Sequence, residues 1–415
     1  MDQQHIAIIG AGVGGLAAAA LLAEDGHHVT VFERFAAAQP VGAGLLLQPI
    51  GLSVLACLGI DDRILASGSR IDQLYGRAAG KQRTTLDVRY SDFAPQLFGV
   101  GIHRSTLFDA LLARMQATSA TLYTAAEIIT APDNGMLTDA AGQTYGPFDL
   151  IVDASGARSA LRAPVVRRDR VYPFGALWGT VRLQDTPFRA DTLDQRYKRA
   201  DHMVGVLPVG LFNGTAGHAA FFWSLKLSTY DAWRQAPLAD WKATVLGIWP
   251  ETEPLLAQFQ RHEDLTCASY RDVVLRQPTH GRVVFLGDAA HCTSPQLGQG
   301  ANLALVDALV LAQCVKAGAT LSAALVAYTA ARRRHVRFYQ WASRWLTPFF
   351  QSDSLLFAKL RFFTCDLMCQ IPLAQRVAAQ VLSGTKTGIF SRLNPGVWHP
   401  DYDVCKRLFN ANADS

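Results

Sequence analysis

Long uninterrupted apolar runs are missing from this 415-residue chain. The stretch 303–315 comes nearest, but Asp307 interrupts it and Lys316 ends it, short of the roughly 20 residues that cross a bilayer. No integral membrane span is therefore expected. The opening MDQQHIAIIG has neither a basic n-region nor a cleavable apolar core, so no secretory leader is expected either. Charge is sparse too: charged residues make up 18% of the chain and the formal net charge is +5. With 50% apolar residues, that excludes a disordered chain and allows a sizeable core. Lys and Arg are scattered except at Arg332-Arg333-Arg334, read as a solvated helix end, and no nucleic-acid partner is expected. The seven cysteines (Cys57, Cys267, Cys292, Cys314, Cys365, Cys369 and Cys405) are odd in number and lack CxxC spacing. They exclude a disulfide framework and a zinc site and fit reduced thiols in a cytoplasmic protein. Cys365 and Cys369 flank Asp366 at helical spacing and read as core packing, with no metal. No internal repeat or low-complexity segment is present.

What is present begins at once. HIAII (5–9) reads as a strand, 14–25 as an Ala/Leu helix and HVTVFE (28–33) as a second strand, with GAGVGG at the first turn. Gly10, Gly12, Gly14 and Gly15 lie where a chain must turn tightly, approach a pyrophosphate and pack a helix on a strand. Glu33, followed by Arg34, closes the second strand, where a carboxylate can accept hydrogen bonds from a ribose. A helix is expected over 104–117 with Ser105 as its cap, and a strand at DLIVDA (149–154). From about 166 to 280, alternating aromatic and β-branched residues predict an antiparallel sheet. RVVFLGDAA and a long helix to about residue 345 follow, then an aromatic and basic helical tail, read first as packing or capping the site, with a dimer face or contact with a membrane surface as its other readings.

The string FLGDAAHCTSPQLGQGANLA (285–304) repeats the strand, glycine loop and helix arrangement far down the chain. An extended FAD, unlike NAD, needs such a second loop. Asp288, after the break at Gly287, would face its ribityl hydroxyls, and Gly298 and Gly300 would let backbone N–H groups approach its ring and stabilise negative charge. The expected architecture is α/β: a Rossmann-like FAD-binding domain (1–70, 99–165 and 281–345), an inserted antiparallel β-sheet substrate domain (71–98 and 166–280) and a helical C-terminal segment (346–415).

GAGVGG with Glu33, the Arg104 helix, DASGARSALR (153–162) and GDAAHCTSPQLGQGANLALVDA (287–308), in this order, resemble the FAD-dependent aromatic hydroxylases, the single-component flavoprotein monooxygenases that include p-hydroxybenzoate hydroxylase. The resemblance implies that Gly10, Gly12, Gly15 and Glu33 hold the ADP half, Arg104 the phosphate or ribityl region, and Asp288 beside Gly287 the ribityl and pyrophosphate, with Pro295 and the 298–302 loop, including Ala301 and Asn302, bordering the ring. It implies NADPH or NADH as reductant and hydroxylation or epoxidation of an aromatic or polyketide-like molecule through a flavin C4a-hydroperoxide. Two positions depart from the family pattern: Ser155 replaces the usual Asp of the middle motif, which touches reductant use, and Ile50 replaces an Asn.

Flavin-centred chemistry needs no protein nucleophile. His291 and Pro295 stand near the ring in this scheme, and His291 is given a structural hydrogen-bonding role. Tyr172, Trp178, His202, His218, Phe222 and Trp223, from the alternating segments, are candidate walls for an aromatic or apolar substrate. Two other activities fit the scaffold: hydride transfer without oxygen insertion, and halogenation. The halogenase element W-x-W-x-I-P is missing, the nearest string being GIWPE (247–251). A monomer or homodimer is expected.

Overall fold

The computed structural model describes residues 2–37, 43–80 and 83–393, and the side chains of all of these except 362–368. Cys405 and the side chains of Cys365 and Asp366 lie outside it. The architecture is mixed α/β. Its first layer is a six-stranded sheet in the order Thr279–His280, Val283–Phe285, Leu150–Asp153, His5–Ile9, His28–Phe32 and Thr121–Tyr123. The last five run parallel and Thr279–His280 is antiparallel at the edge. These short strands are almost wholly apolar because helices or loops cover both faces of a parallel sheet.

Register explains why a second glycine loop occurs so late. Ile9 pairs with both Phe32 and Asp153, and Asp153 pairs with Phe285, so four strand ends share one row. The loops after them, at Gly10, Glu33, Ala154 and Leu286, leave the sheet along a single carboxyl edge, where open α/β sheets bind ligands. Behind this edge the helix Val13–Glu24 packs on Gly300–Ala317. The run Ala17 to Ala20 is fully buried there and its small side chains permit close approach. Gly300–Ala317 is long and apolar enough to cross a membrane by composition, but 67% of it is buried inside the protein.

The second layer is a seven-stranded sheet in the order Thr266–Leu275, Val166–Arg182, Thr215–Lys226, His202–Phe212, Thr192–Lys198, Gln73–Ala78 and Thr84–Arg89. All pairs are antiparallel except Thr192–Lys198 with Gln73–Ala78, which is parallel. The expected uninterrupted β texture over 166–280 is corrected by short helices at Tyr230–Gln235, Leu238–Leu246 and Glu253–Leu256. Trp241 and Val245, one turn apart, anchor them against Val204, Phe221 and Trp223 on the outer sheet face. Trp249 of the GIWPE string is buried in that same core.

The single long helix expected after the glycine loop is two, Gly300–Ala317 and Leu321–Phe350, separated at Gly318 and followed by Leu355–Met368 and Pro372–Leu382. Ser105 is not the cap of Arg104–Gln116: His103 is, its Nδ1 accepting from the Ser105 amide at 3.2 Å.

Candidate cofactor and substrate cavity

A cavity of about 1070 Å3 runs from the carboxyl edge of the parallel sheet to the inner face of the seven-stranded sheet. Gly10, Gly12, Gly14, Glu33, Arg34 and Arg104 line one part, and Gly287, Asp288, Pro295, Gly298, Gly300 and Ala301 face it from the late loop. Gly10 adopts φ +100°, and a Cβ on Gly15 would stand 2.0 Å from the Gly10 carbonyl oxygen, so these two make the turn and the helix–strand contact. A Cβ on Gly12 would meet nothing within 4 Å: the space in front of it is an open cradle of the cavity. Glu33 Oε2 accepts from the Ala11 amide at 2.8 Å and Oε1 from the Phe35 amide at 3.1 Å, which fixes the carboxylate at the cavity wall.

Asn302, expected to border the ring, and Gly15, expected to pack helix on strand, both lie behind the cavity wall. Gly15 is buried in the helix–strand contact just described. Asn302 is fully buried: its Oδ1 accepts from the Gln48 amide at 2.8 Å, and its Nδ2 donates to the Leu46 and Gly298 carbonyls at 3.1 and 2.9 Å. It therefore clamps the late loop to the strand Gly44–Leu47. The Asp288 carboxylate, by contrast, faces the cavity and makes no hydrogen bond to another described residue.

His291 is likewise not on the cavity wall. Its Nε2 donates to Asp307 Oδ2 at 2.6 Å, which also accepts from the Gly287 amide at 2.8 Å. Arg332 Nε donates to Asp307 Oδ1 at 2.6 Å, and Arg332 Nη1 donates to His335 Nδ1 at 2.6 Å. His335 Nε2 then donates to the Gly384 carbonyl at 2.6 Å. The cationic and donor neighbours outweigh burial and hold the Asp307 carboxyl well below its ordinary value. Burial, with Arg332 alongside, holds His335 well below its own, so it is the neutral link. The basic knot is thus not wholly solvated: Arg332 is buried and only Arg333 and Arg334 are exposed. Tyr328, Arg332, His335 and Tyr339 recur at helical spacing on the buried face, a signal present in the sequence but hidden by the triple arginine.

The departing motif is occupied with itself. Asp153 is fully buried, Oδ1 accepting from the Ser155 amide and hydroxyl at 2.9 and 2.6 Å and Oδ2 from the Ser159 hydroxyl at 2.5 Å. Burial raises its carboxyl above the ordinary range. Arg162 donates to the Ala157 carbonyl and to Asp169, each at 2.6 Å, leaving Ser155, Gly156 and Arg158 on the cavity.

Comparison with known proteins agrees with this geometry. A family model described as FAD binding domain matches residues 3–340. A 3-amino-4-hydroxybenzoate 2-monooxygenase of Streptomyces cremeus is 32% identical over 75% of this chain and 79% of its own. The chain belongs to the FAD-dependent aromatic hydroxylases. A 6-hydroxynicotinate 3-monooxygenase of Pseudomonas fluorescens is 26% identical over 75% of this chain and 82% of its own. The fold matches that of Klebsiella pneumoniae HpxO complexed with FAD and uric acid, with TM-score 0.79 and 23% identity over 92% of this chain and 97% of that one.

In this hydroxylase the far end of the cavity is aromatic and amide-lined. Trp178 Nε1 donates to the Tyr270 hydroxyl at 2.9 Å, and the Trp178 ring lies 4.8 Å from that of Phe222. Burial pushes Tyr270 up to about 12, so it is neutral at physiological pH. Tyr197 donates to Gln195 Oε1 at 3.0 Å. Gln48 is fully buried; its Oε1 accepts from the Tyr90 hydroxyl at 2.5 Å, while its Nε2 has no partner among the described residues and sits beside Gly298. Gln48, Tyr90, Gln195 and Tyr270 were not identified from sequence, since lone amides and tyrosines carry no spacing signal.

Of the expected substrate walls, Trp178 and Phe222 line the cavity, whereas Tyr172, His202, His218 and Trp223 do not. Alternation sends Trp223 to the opposite sheet face from Phe222, against Trp241, and His202 packs on Trp223. His218 lies at the hairpin end against Phe212. A register shift between Val171 and Gly175 turns Tyr172 toward Asp272 and Arg344.

Proposed function

We propose that this FAD-dependent monooxygenase uses NADPH or NADH and O2 to hydroxylate an aromatic small molecule in the chamber between the late glycine loop and the seven-stranded sheet. In this reading the 1–70, 99–165 and 281–345 segments form the cofactor domain and 71–98 with 166–280 the substrate layer. The supporting observation is one continuous cavity, glycine-lined at four converging strand ends and aromatic at its far end. The residues fit FAD. The open face of Gly12 admits the diphosphate, Arg104 and Arg158 offer charge to it, Glu33 accepts from a ribose, and unpartnered Asp288 accepts from ribityl hydroxyls. The orphan Nε2 of Gln48 supplies a donor at the ring or its substrate.

Bound FAD supplies the chemistry, receiving two electrons from the nicotinamide and activating O2 so that one oxygen enters the substrate and the other leaves as water. The chain does the rest. Leu46, Leu207, Phe222 and Phe350 exclude water, and the Trp178–Tyr270 pair orients a planar substrate with Tyr270 in its neutral form. The partner is thus an aromatic or apolar small molecule, matching the aromatic substrates in the relatives' names.

The test is oxygen uptake with NADPH or NADH across a panel of phenolic, hydroxypyridine and quinolone compounds, with products analysed after labelling with 18O2. One labelled oxygen per product is expected. An unlabelled product formed equally well under argon would replace the reading with hydride transfer.

A further inference from the structure

The C-terminal helices leave an apolar face in water. On Leu321–Phe350, Trp341 and Trp345 are 54% and 59% exposed, with stacked rings 6.3 Å apart. Leu355 and Leu356 on the next helix are 59% and 70% exposed, and Leu373 on the last is 71%. Scattered exposed leucines are ordinary, but here each of the three helices also brings an exposed apolar residue to the rim of one cavity, and such a cluster marks a contact surface.

The same region is basic. Of the ten Lys and Arg in 321–393, Arg332, Arg361 and Lys386 are buried and Arg344 is paired with Asp272, which leaves six exposed: Arg333, Arg334, Arg337, Lys359, Arg376 and Arg392. Arg337, Lys359 and Arg376 are exposed on the same helices as the bare apolar residues. Trp345, Leu360 and Val377 are exposed and also line the cavity, so its mouth opens through this face.

We propose that this face docks on an anionic lipid bilayer and that apolar aromatic substrate passes from the acyl region through the mouth into the cavity. Exposed Trp and Leu beside Arg and Lys are the chemistry by which interfacial helices seat at headgroup level. A second copy of the chain is the poorer occupant, because a two-fold contact would press like-charged basic flanks together, whereas an anionic leaflet complements them. The passage of substrate rests on the oxygenation reading above; the docking does not.

The full-length, FAD-loaded protein is sedimented with vesicles of phosphatidylcholine alone or mixed with phosphatidylglycerol. Binding is expected to the mixed vesicles and to fall at high salt. Each basic contact strengthens partition about fivefold, so Arg337→Glu with Lys359→Glu lowers it by about 25-fold or more. Leu356→Glu with Leu373→Glu abolishes binding while flavin content stays unchanged. Equal partition onto both vesicle types, or none, overturns the proposal. So does a dimer in sedimentation velocity that Leu356→Glu with Leu373→Glu dissolves, which would assign the face to a second copy. Binding is read without turnover, so its failure and that of the oxygenation assay are separate results.

Discussion

Removing the Asp307 carboxylate tests how the late glycine loop is held. Asp307 is fully buried and faces three donors: the Gly287 amide at 2.8 Å, and His291 Nε2 and Arg332 Nε at 2.6 Å each. In Asp307→Ala the Arg332 guanidinium stays buried, with neutral His335 as its remaining hydrogen-bond partner among the described residues at 2.6 Å, and an uncompensated interior charge costs about 3–5 kcal/mol. Arg332→Met is milder, about 2 kcal/mol, because Asp307 keeps His291 and the Gly287 amide. The double variant leaves no unpaired charge and is expected to lose only about 2–4 kcal/mol, a favourable coupling of roughly 3 kcal/mol. The assay is the urea midpoint of the four proteins at saturating FAD, with flavin release followed in parallel. Asp307→Ala should also release flavin faster, since the Gly287 turn next to Asp288 loses its tie. Additive losses, or a single-variant loss below about 1 kcal/mol, would refute the argument that the network is held by buried charge.

Three other outcomes are expected. Gly12→Ala folds normally but loses FAD affinity at least about tenfold because its methyl enters the cradle, whereas Gly15→Ala fails to fold against the Gly10 carbonyl; flavin titration and thermal melts distinguish them. Asp288→Ala weakens FAD by about 1.5–3 kcal/mol with an unchanged melt of the apoprotein, because its carboxylate bonds to no other described residue; full flavin occupancy on dilution would remove Asp288 from the cofactor site. His103 is held at about 4, chiefly by burial and then by His218 and Arg104, against an ordinary value near 6.5. The unfolded chain therefore binds a proton that the folded chain refuses, so stability falls as pH drops from about 6.5 to about 4. His103→Gln flattens that slope in urea midpoints, and an identical slope in both proteins would show that His103 does not titrate this way.

The cofactor end was legible because it depends on backbone. Gly10, Gly12 and Gly287 are needed for turns and close approach, and such needs leave glycines at fixed spacings between strand and helix. The network beneath it was not legible. Asp307 reads as a flaw in an apolar run and Arg332 as one of three surface arginines until helical phase puts both in the interior. The substrate end fails for another reason: residues 218–225 of the strand Thr215–Lys226 are buried on both faces, so neighbouring aromatics such as Phe222 and Trp223 give no clue to which side holds the ligand. Helices over 230–256 were masked by aromatic content that resembles strand composition.

The ties to residues 381–384 bear on the order in which a growing chain becomes a holoenzyme. Gln299 donates to the Leu382 carbonyl at 2.8 Å, the Ile50 amide donates to Ser383 at 3.1 Å, and His335 reaches Gly384. The cradle around Gly12 is synthesised first, yet the loop opposite it is braced by residues made hundreds of codons later. A nascent chain can thus fold its first strands and helix while the flavin pocket still lacks its keystone. Tight capture of the cofactor becomes a late event in biogenesis, coupled to emergence of the 381–384 segment from the ribosome.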